Sequence, residues 1–174
     1  MILEISGEDA KYGRVVLERK AAIACRRARI EELPQAATFW LAMMEEIGKH
    51  RESDFPSGWR EAFVRYFERR IAAGEAAYFV AEADGKLVAS AAAITRDGYP
   101  AEIHGIADGY VLGVYALPPY RGRGLGTELT KLTLEFLRER KVSRIRLHAS
   151  PFGRKIYEGL GFAASNEMVL WAMA

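Results

Sequence analysis

The amino-acid sequence predicts an α/β (α+β) domain. Three observations carry this prediction: two strand patterns meet at a tight Asp84-Gly85 turn, two helical stripes precede them, and a buried strand pattern runs through a Gly-rich loop into a further helix. The chain has 174 residues, of which half are hydrophobic and 28% are charged. That length and balance suit one domain with its own core, and no apolar run approaches the roughly 20 residues of a membrane span.

The first 20 residues are ambiguous, because Met1–Ile5 and Arg14–Leu17 fit a hairpin but contain no functional motif. They carry charges throughout and no signal-peptide core, so we expect a cytoplasmic protein. The first strand of the core is predicted over Ala21–Arg29. The single cysteine, Cys25, lies on this strand and cannot form an intramolecular disulfide, so a small packed residue is expected there.

Two amphipathic helices follow the first strand. The apolar side chains of the first helix share one stripe along its length. This helix is expected to run to about Ile47, because Gly48 can end it. The second is expected from Ser57 to Ala73, with its large apolar residues in phase. The segment between them, residues 50–56, has the composition of a loop.

Two strands, Ala76–Ala83 and Lys86–Arg96, flank the tight turn and predict an antiparallel hairpin. The second strand contains a run of small residues, 89–93, which leaves room for a bulky neighbour such as a helix. The glycine and proline residues in and beside residues 97–108 predict a loop there. The candidate general bases in this loop, close in sequence to the next strand, are Glu102 and His104.

The Gly-rich loop, residues Leu117–Thr127, joins the apolar strand Tyr110–Ala116 to a helix expected over Glu128–Arg140. A helix N-terminus presents unpaired N–H groups and the positive end of its dipole, both suited to a phosphate. Glycines let the backbone approach such an anion closely, and arginines add positive charge. The residues of the loop that fit this role are Arg121, Gly122, Arg123, Gly124 and Gly126.

The spacing within the Gly-rich loop argues against two nucleotide motifs. A P-loop needs Gly-Lys-Ser/Thr after its glycines, and Leu125-Gly126-Thr127 offers no lysine. A dinucleotide fingerprint reads Gly-x-Gly-x-x-Gly, usually in the first strand–helix unit of a domain, whereas this loop reads Gly-x-Gly-x-Gly late in the chain. A nucleotide-binding domain with another ligand is therefore disfavoured.

The C-terminal third contains a second informative segment. Residues 143–149 alternate as in a strand, and Met168–Met173 predicts the last strand. Between them, residues 148–162 read His-Ala-Ser-Pro-Phe-Gly-Arg-Lys-Ile-Tyr-Glu-Gly-Leu-Gly-Phe. Ser150 suits a helix N-cap and Pro151 suits a helix N-terminus, so we expect a short helix here.

These two segments resemble the GNAT superfamily of N-acetyltransferases. Arg121–Gly126 resembles the Arg/Gln-x-x-Gly-x-Gly/Ala loop that binds acyl-coenzyme A in that family. Tyr157 and Phe162 fall at the spacing of its Leu-Tyr-x-x-x-Gly-Phe segment. The chain departs from the family pattern at Ser150, where Asn is usual, and at Gly153, where Ala is usual.

The resemblance covers roughly residues 22–174 in element order. It implies a single acyl-CoA N-acyltransferase domain over residues 1–174, with residues 1–20 as an extension of unassigned role. It also implies that the central sheet is mixed and mostly antiparallel, is splayed between its fourth and fifth core strands, and is flanked by about four helices.

The resemblance further implies a reaction and its residues. Acetyl-CoA would be the acyl donor without a metal, a backbone N–H near Val114 would polarise the acyl carbonyl, and Tyr157 would protonate the leaving thiolate. The first two helices and their loop would cover the acceptor. The further candidates are Tyr115, Ala116, Leu125, Thr127, Ser150 and Arg154 for the cofactor, and Glu45, Glu46, Asp54, Glu102 and His104 for the substrate.

The charge distribution predicts a cationic amine acceptor. Residues 121–174 hold ten basic and five acidic side chains, whereas residues 31–60 hold three and six. A basic part near an anionic cofactor and an acidic part near the acceptor would steer two oppositely charged reactants to one cleft. The same acidic groups could equally be a solvated surface. We expect a small-molecule or peptide amine as partner, neither nucleic acid nor a membrane, and leave a homodimer open.

Two functional classes remain at this point. One is an N-acetyltransferase in which the amine attacks the thioester directly. The other is a non-catalytic acyl-CoA-binding sensor or regulatory module that keeps the loop but has no turnover. Tyr157 favours the enzyme, although a tyrosine at that position could also simply pack.

Overall fold

Five strands form one sheet in the order β1-β2-β3-β4-β5. The structure is a computed structural model, and it describes residues 22–48, 50–96 and 107–167. The first three strand interfaces are antiparallel and the β4–β5 interface is parallel, which confirms the mixed, mostly antiparallel sheet. The strands are β1 Ile23–Arg27, β2 Ala76–Ala83, β3 Lys86–Arg96, β4 Asp108–Ala116 and β5 Arg144–Arg146.

Four α-helices of the described residues flank this sheet, as predicted. The helix after the Gly-rich loop begins three residues earlier than expected, because Gly124 adopts a left-handed conformation (φ 79°) and serves as the residue before its first turn. The last turn of the loop is therefore also the first turn of the helix. The helices are α1 Leu33–Glu46, α2 Trp59–Ala72, α3 Leu125–Glu139 and α4 Arg154–Gly159.

The two faces of the sheet pack against different helices. On one face, the alanines at 89, 91 and 93 of β3 belong to the apolar core that includes Leu129 and Leu137 of α3. On the other face, Ala92 lies in a core with Leu33 of α1 and Phe67 of α2. The expected room beside the small residues of β3 is thus filled by helices on both faces, since alternate strand residues point to opposite sides.

A buried carboxylate ties the start of α1 to the sheet. Arg26 of β1 donates to both oxygens of Glu32 and also bonds Glu82 of β2. The Arg26 guanidinium, together with the backbone N–H of Arg29, lowers the pKa of Glu32 to about 2. Glu32 therefore stays ionised at neutral pH and fixes the N-terminal end of α1 against two strands.

Some expectations fall on residues that the structure does not describe. The hairpin proposed for residues 1–20 and the strand proposed for 168–173 lie outside the described ranges. The first strand is shorter than expected, and Cys25 lies on it with its side chain half-buried. Within the described ranges, each helix is too short or too polar to cross a bilayer. The same residues contain no group of three acidic, histidine or cysteine side chains arranged for a metal ion.

Gly109 of β4 gives a test of how closely this strand packs on α3. A Cβ at residue 109 would lie 2.9 Å from Cδ2 of Leu137 and 2.9 Å from Cγ1 of Val142. We expect Gly109→Ala to lower the free energy of unfolding by about 1–3 kcal/mol, measured from urea midpoints, because the core cannot take the extra methyl group.

The matched control is Gly159→Ala at the end of α4, where nothing lies within 4 Å of the added Cβ. It should leave stability unchanged or raise it by up to about 1 kcal/mol. Equal stabilities of the two variants would show that β4 and α3 are not in tight contact at residue 109.

Candidate active site

The strands β4 and β5 pair over only three residues and then separate. The pairs are Asp108 with Arg144, Gly109 with Ile145, and Tyr110 with Arg146. The Arg144 guanidinium donates two hydrogen bonds, of 2.6 and 2.7 Å, to the two oxygens of the Asp108 carboxylate, which gives a bidentate ion pair. β4 continues for six more residues while β5 ends, so the predicted splay is confirmed and β5 is shorter than the expected 143–149.

β4 contains a bulge next to this opening. Tyr115 opposes Ser90 and Leu112 opposes Ala92, so β4 has one residue more than β3 between these pairs. Gly113 occupies the bulge with φ +62°, and the Ser90 hydroxyl donates to its carbonyl at 3.3 Å. The hydroxyl of Tyr78 lies 3.1 Å from where a Cβ of residue 113 would be, so the bulge has no room for a side chain. Val114 directly follows this fixed point.

The Gly-rich loop presents backbone N–H groups at the N-terminus of α3. Gly122 and Gly124 adopt φ +71° and +79°, and a Cβ on either would meet nothing within 4 Å. Within the described residues, the N–H groups of Gly122, Arg123 and Gly124 donate to no backbone carbonyl. The first N–H groups of α3 likewise have no partner inside the helix. The loop therefore has the open space and the donors that a pyrophosphate requires.

The two arginines of this loop bind protein groups. The Nη2 group of Arg121 donates to both carboxylate oxygens of Glu46 at 2.7 Å, and its Nε donates to the carbonyl of Ala116 at 2.9 Å. Arg123 donates to the carbonyl of Pro119 at 3.2 Å. Both side chains thereby stabilise the conformation of the loop. The sequence had predicted only that they would add positive charge for an anion. Leu125 is buried in the core, while Thr127 is half-buried on the first turn of α3.

A cleft of about 390 Å³ lies between the C-terminal half of α1 and the diverging ends of β4 and β5. Tyr157 of α4 lines it and is 8% exposed, and burial raises the pKa of its phenol. The Tyr157 ring comes within 2.9 Å of where a Cβ of Gly153 would be. The departure from the family's Ala at 153 therefore makes room for this ring. The cleft is also lined by Trp40, Met43, Met44, Ile47, Val114 and Ser150.

α4 and its preceding turn close one side of the cleft. The prediction that Ser150 is the N-cap residue was wrong, because α4 begins at Arg154 and Gly153 is its N-cap. The Ser150 hydroxyl instead accepts from the N–H of Gly153 at 3.1 Å and stabilises the turn before the helix. Arg154 begins α4, is largely exposed, and lies 3.8 Å from Glu158. Gly126 of α3 faces Ile156 of α4, and a Cβ built on Gly126 would lie 3.0 Å from Cδ1 of Ile156. The N-terminal turn of α3 and α4 are thereby brought into contact.

The candidate acidic residues are distributed over different places. Glu46 accepts from Arg121 and, at 3.1 Å, from the Tyr115 hydroxyl, so it faces the Gly-rich loop. Glu45 and Asp54 border a separate hollow of about 490 Å³ together with His50. Glu102 and His104 lie outside the described residues.

Sequence reasoning missed a tyrosine–histidine pair in the cleft. The Tyr110 hydroxyl of β4 is hydrogen-bonded to Nδ1 of His148, just beyond β5, and both side chains line the cleft. The signal was weak, because 38 residues separate the two. The strand pattern at 143–149 placed His148 on β5, but only the parallel register brings it beside Tyr110.

Comparisons with known proteins agree with this geometry. The model of the Acetyltransferase (GNAT) family matches residues 44–162, more than half of the chain. A predicted acetyltransferase from Clostridium acetobutylicum, solved with acetyl-CoA, superimposes with a TM-score of 0.76 at 22% identity, covering 86% of this chain and 96% of that one. A GCN5-related N-acetyltransferase from Ralstonia eutropha JMP134 gives a TM-score of 0.74 at 25% identity, covering 86% and 97%.

A third similar structure is the aminoglycoside N-acetyltransferase AAC(6')-Iy in complex with the bisubstrate analog CoA-S-monomethyl-acetylneamine. It has a TM-score of 0.66 at 18% identity, covering 88% of this chain and 99% of that one. No curated relative matches the chain by sequence. The family match, the splayed sheet and the Gly-rich loop at the start of α3 lead to one conclusion: the chain belongs to the GNAT family of acetyltransferases.

Proposed function

We propose that this protein is an N-acetyltransferase that transfers the acetyl group of acetyl-CoA to a primary amine of a small molecule or peptide. The observation that carries the proposal is the proximity of three features. The edge of β4 at Val114 and the Tyr157 phenol line one cleft. The first turn of α3, which follows the free N–H groups of the Gly-rich loop, adjoins that edge, because the Cβ position of Gly126 lies 4.0 Å from Cγ1 of Val114. We assign the whole of residues 1–174 to this domain and place the reaction in the cytoplasm, as the sequence predicts.

The Gly-rich loop is assigned to the pyrophosphate of coenzyme A. Open space at Gly122 and Gly124 lets the anion reach the backbone donors of residues 121–127, which a side chain would obstruct. Ser150 lines the cleft and Arg154 begins α4, and both are assigned to the same cofactor. The acetyl thioester supplies the group that is transferred.

The edge of β4 is assigned to the arm of the cofactor and to the acyl carbonyl. The backbone of Val114, Tyr115 and Ala116 continues past the last β4–β5 pair, and among the described residues no strand pairs with it on that side. Arg121 already bonds the carbonyl of Ala116, so the other backbone groups of this edge can bond an extended ligand as an added strand would. The N–H of Val114 follows the fixed bulge at Gly113. A donor held rigidly in this way stabilises the negative charge that develops on the carbonyl oxygen.

Tyr157 is assigned as the general acid for the leaving thiolate. Burial raises the pKa of its phenol, so the group keeps its proton at neutral pH and can donate it. A covalent enzyme intermediate has no support, because burial, reinforced by Glu128, raises the pKa of the Cys25 thiol, and Cys25 lies on β1 away from the cleft residues. The amine therefore attacks the acyl group directly.

The similar structures support this class of reaction. One was solved with acetyl-CoA, and AAC(6')-Iy was solved with an analog that joins CoA to an acetylated neamine. We propose for this chain a cationic amine acceptor, with Glu45 and Asp54, which border the hollow after α1, as the acidic groups that attract it. Glu46 is a weaker candidate, because Arg121 and Tyr115 already bind its carboxylate.

Coenzyme A binding can be tested by Gly124→Glu. The new carboxylate would fill the open space of the loop and repel the pyrophosphate, so the CoA-induced rise in Tm should disappear. For wild type, CoA at 100 times its Kd should add about 2.7 kcal/mol of stability. Gly85→Glu is the matched control, because Gly85 also has a left-handed φ and nothing within 4 Å of its Cβ position. A rise retained in Gly124→Glu would remove the loop from the cofactor site.

The role of Tyr157 can be tested by Tyr157→Phe. Loss of the proton donor should lower kcat by about 10²-fold, the low end for general acid catalysis, because a thiolate is a fairly good leaving group. The CoA-induced rise in Tm should persist. Tyr66→Phe on α2, outside the cleft, controls for the loss of a hydroxyl. Full turnover in Tyr157→Phe would contradict the assignment.

The acceptor can be found by measuring thiol release over polyamines, aminoglycosides, amino acids and peptide N-termini. With the best acceptor, Glu45→Gln should raise KM severalfold, and added salt should raise the wild-type KM, because both weaken attraction of a cation. Glu135→Gln on the exposed face of α3 removes one charge elsewhere and should leave KM unchanged. A best acceptor that is neutral or anionic would contradict the charge argument alone.

A further inference from the structure

The reaction needs a proton acceptor, and the cleft contains one that the sequence did not identify. A primary amine with an ordinary pKa near 10.4 is protonated at neutral pH and must lose a proton before it can attack. Three titratable side chains line the cleft among the described residues: Tyr110, His148 and Tyr157. Burial raises the pKa of both phenols, so both groups keep their own proton at neutral pH and cannot accept another. Imidazole is the side chain that ordinarily titrates nearest neutral pH.

The position of His148 fits this task. Tyr110 belongs to the last β4–β5 pair, and His148 follows two residues after its partner Arg146. The histidine therefore lies at the narrow end of the cleft, where the strands begin to separate. The hydroxyl of Tyr110 bonds Nδ1, which fixes the orientation of the ring and leaves Nε2 without this partner.

His148 also borders a second hollow, which gives the proton a way out. This outer groove, of about 590 Å³, is lined by β5, α4 and residues 163–167, and it shares His148 and Tyr157 with the cleft. Among the described residues, the charged and titratable groups around the pair are Arg96 of β3, Asp108 of β4, Arg144 and Arg146 of β5, Arg154, Tyr157 and Glu158 of α4, and Glu167.

We propose that His148 is the general base of the reaction, oriented by Tyr110, and this inference rests on the proposed function. Nδ1–H donates to the Tyr110 oxygen, and Nε2 presents its lone pair to the cleft. The ammonium N–H bond breaks, the proton passes to Nε2, and the electron pair stays on the amine nitrogen, which then attacks. The imidazolium returns its proton to water in the outer groove.

The kinetic test is His148→Gln, assayed against pH with the acceptor that the thiol-release screen identifies. Wild-type kcat/KM should rise with pH and then level off, since only a neutral imidazole accepts a proton. The variant should be slower by about 10²- to 10⁴-fold at neutral pH and should keep rising as the amine deprotonates unaided. Tyr110→Phe should show a smaller loss, with Tyr66→Phe as its control.

A second measurement needs no acceptor. Nitrogen-15 NMR of the wild-type imidazoles, with His148 assigned through backbone and side-chain connectivities in the wild-type protein, reports which ring nitrogen carries the proton in the neutral form. We expect Nδ1 to carry it, and we expect Tyr110→Phe to change this preference. A proton on Nε2 would overturn the assignment, and this holds even if the substituted proteins fail to fold.

The outcomes separate this inference from the proposed function. If wild type acetylates no amine, the proposed function is wrong. If wild type is active while His148→Gln keeps its rate and pH profile and its CoA-induced rise in Tm, the base is another group. Loss of the same pH dependence in Glu102→Gln or His104→Gln alone would assign the role to that residue and overturn the proposal.

Discussion

The short parallel pairing of β4 and β5 is the constraint on which the site depends. A salt bridge between Asp108, which is buried, and Arg144 closes the paired end, and three residues later the strands have parted. An unpaired strand edge is normally a liability that proteins cover. Here the free edge of β4 borders the cleft instead. The same divergence places residues from α1, β4 and α4 around one cavity.

Missing side chains let the surrounding elements approach this edge. Gly109 accommodates Leu137 of α3, Gly126 accommodates Ile156 of α4, and Gly153 accommodates the ring of Tyr157, each with contacts of 2.9–3.0 Å to the absent Cβ. These glycines serve packing, unlike those at 122 and 124, which face open space. Glycine thus serves two purposes here. At 109, 126 and 153 it allows close packing, and at 122 and 124 it leaves the loop open.

Local signals predicted most of the fold, while contacts between distant segments escaped them. The β2–β3 hairpin was predicted to the residue, because the Asp84-Gly85 turn fixes its own backbone through two left-handed residues. The start of α3 was missed because Gly124 reads as loop although it is the residue from which the helix begins. The pairing of Tyr110 with His148 depends on the parallel register across a whole helix, and no local pattern encodes that register. The same holds for the direction of Arg121, which is set by a carboxylate 75 residues away.

That carboxylate, Glu46, ties the end of α1 to the Gly-rich loop and to β4. It accepts hydrogen bonds from Arg121 of the Gly-rich loop and from Tyr115 of β4, although it lies at the end of α1. Two ligands that each disturb or strengthen this clasp must, by thermodynamic reciprocity, alter one another's affinity by the same factor. Occupation of the loop is then linked to occupation of the space beside α1. The Kd measured for one reactant would accordingly change when the other is bound, and the size of that change would measure how strongly the clasp couples the two positions.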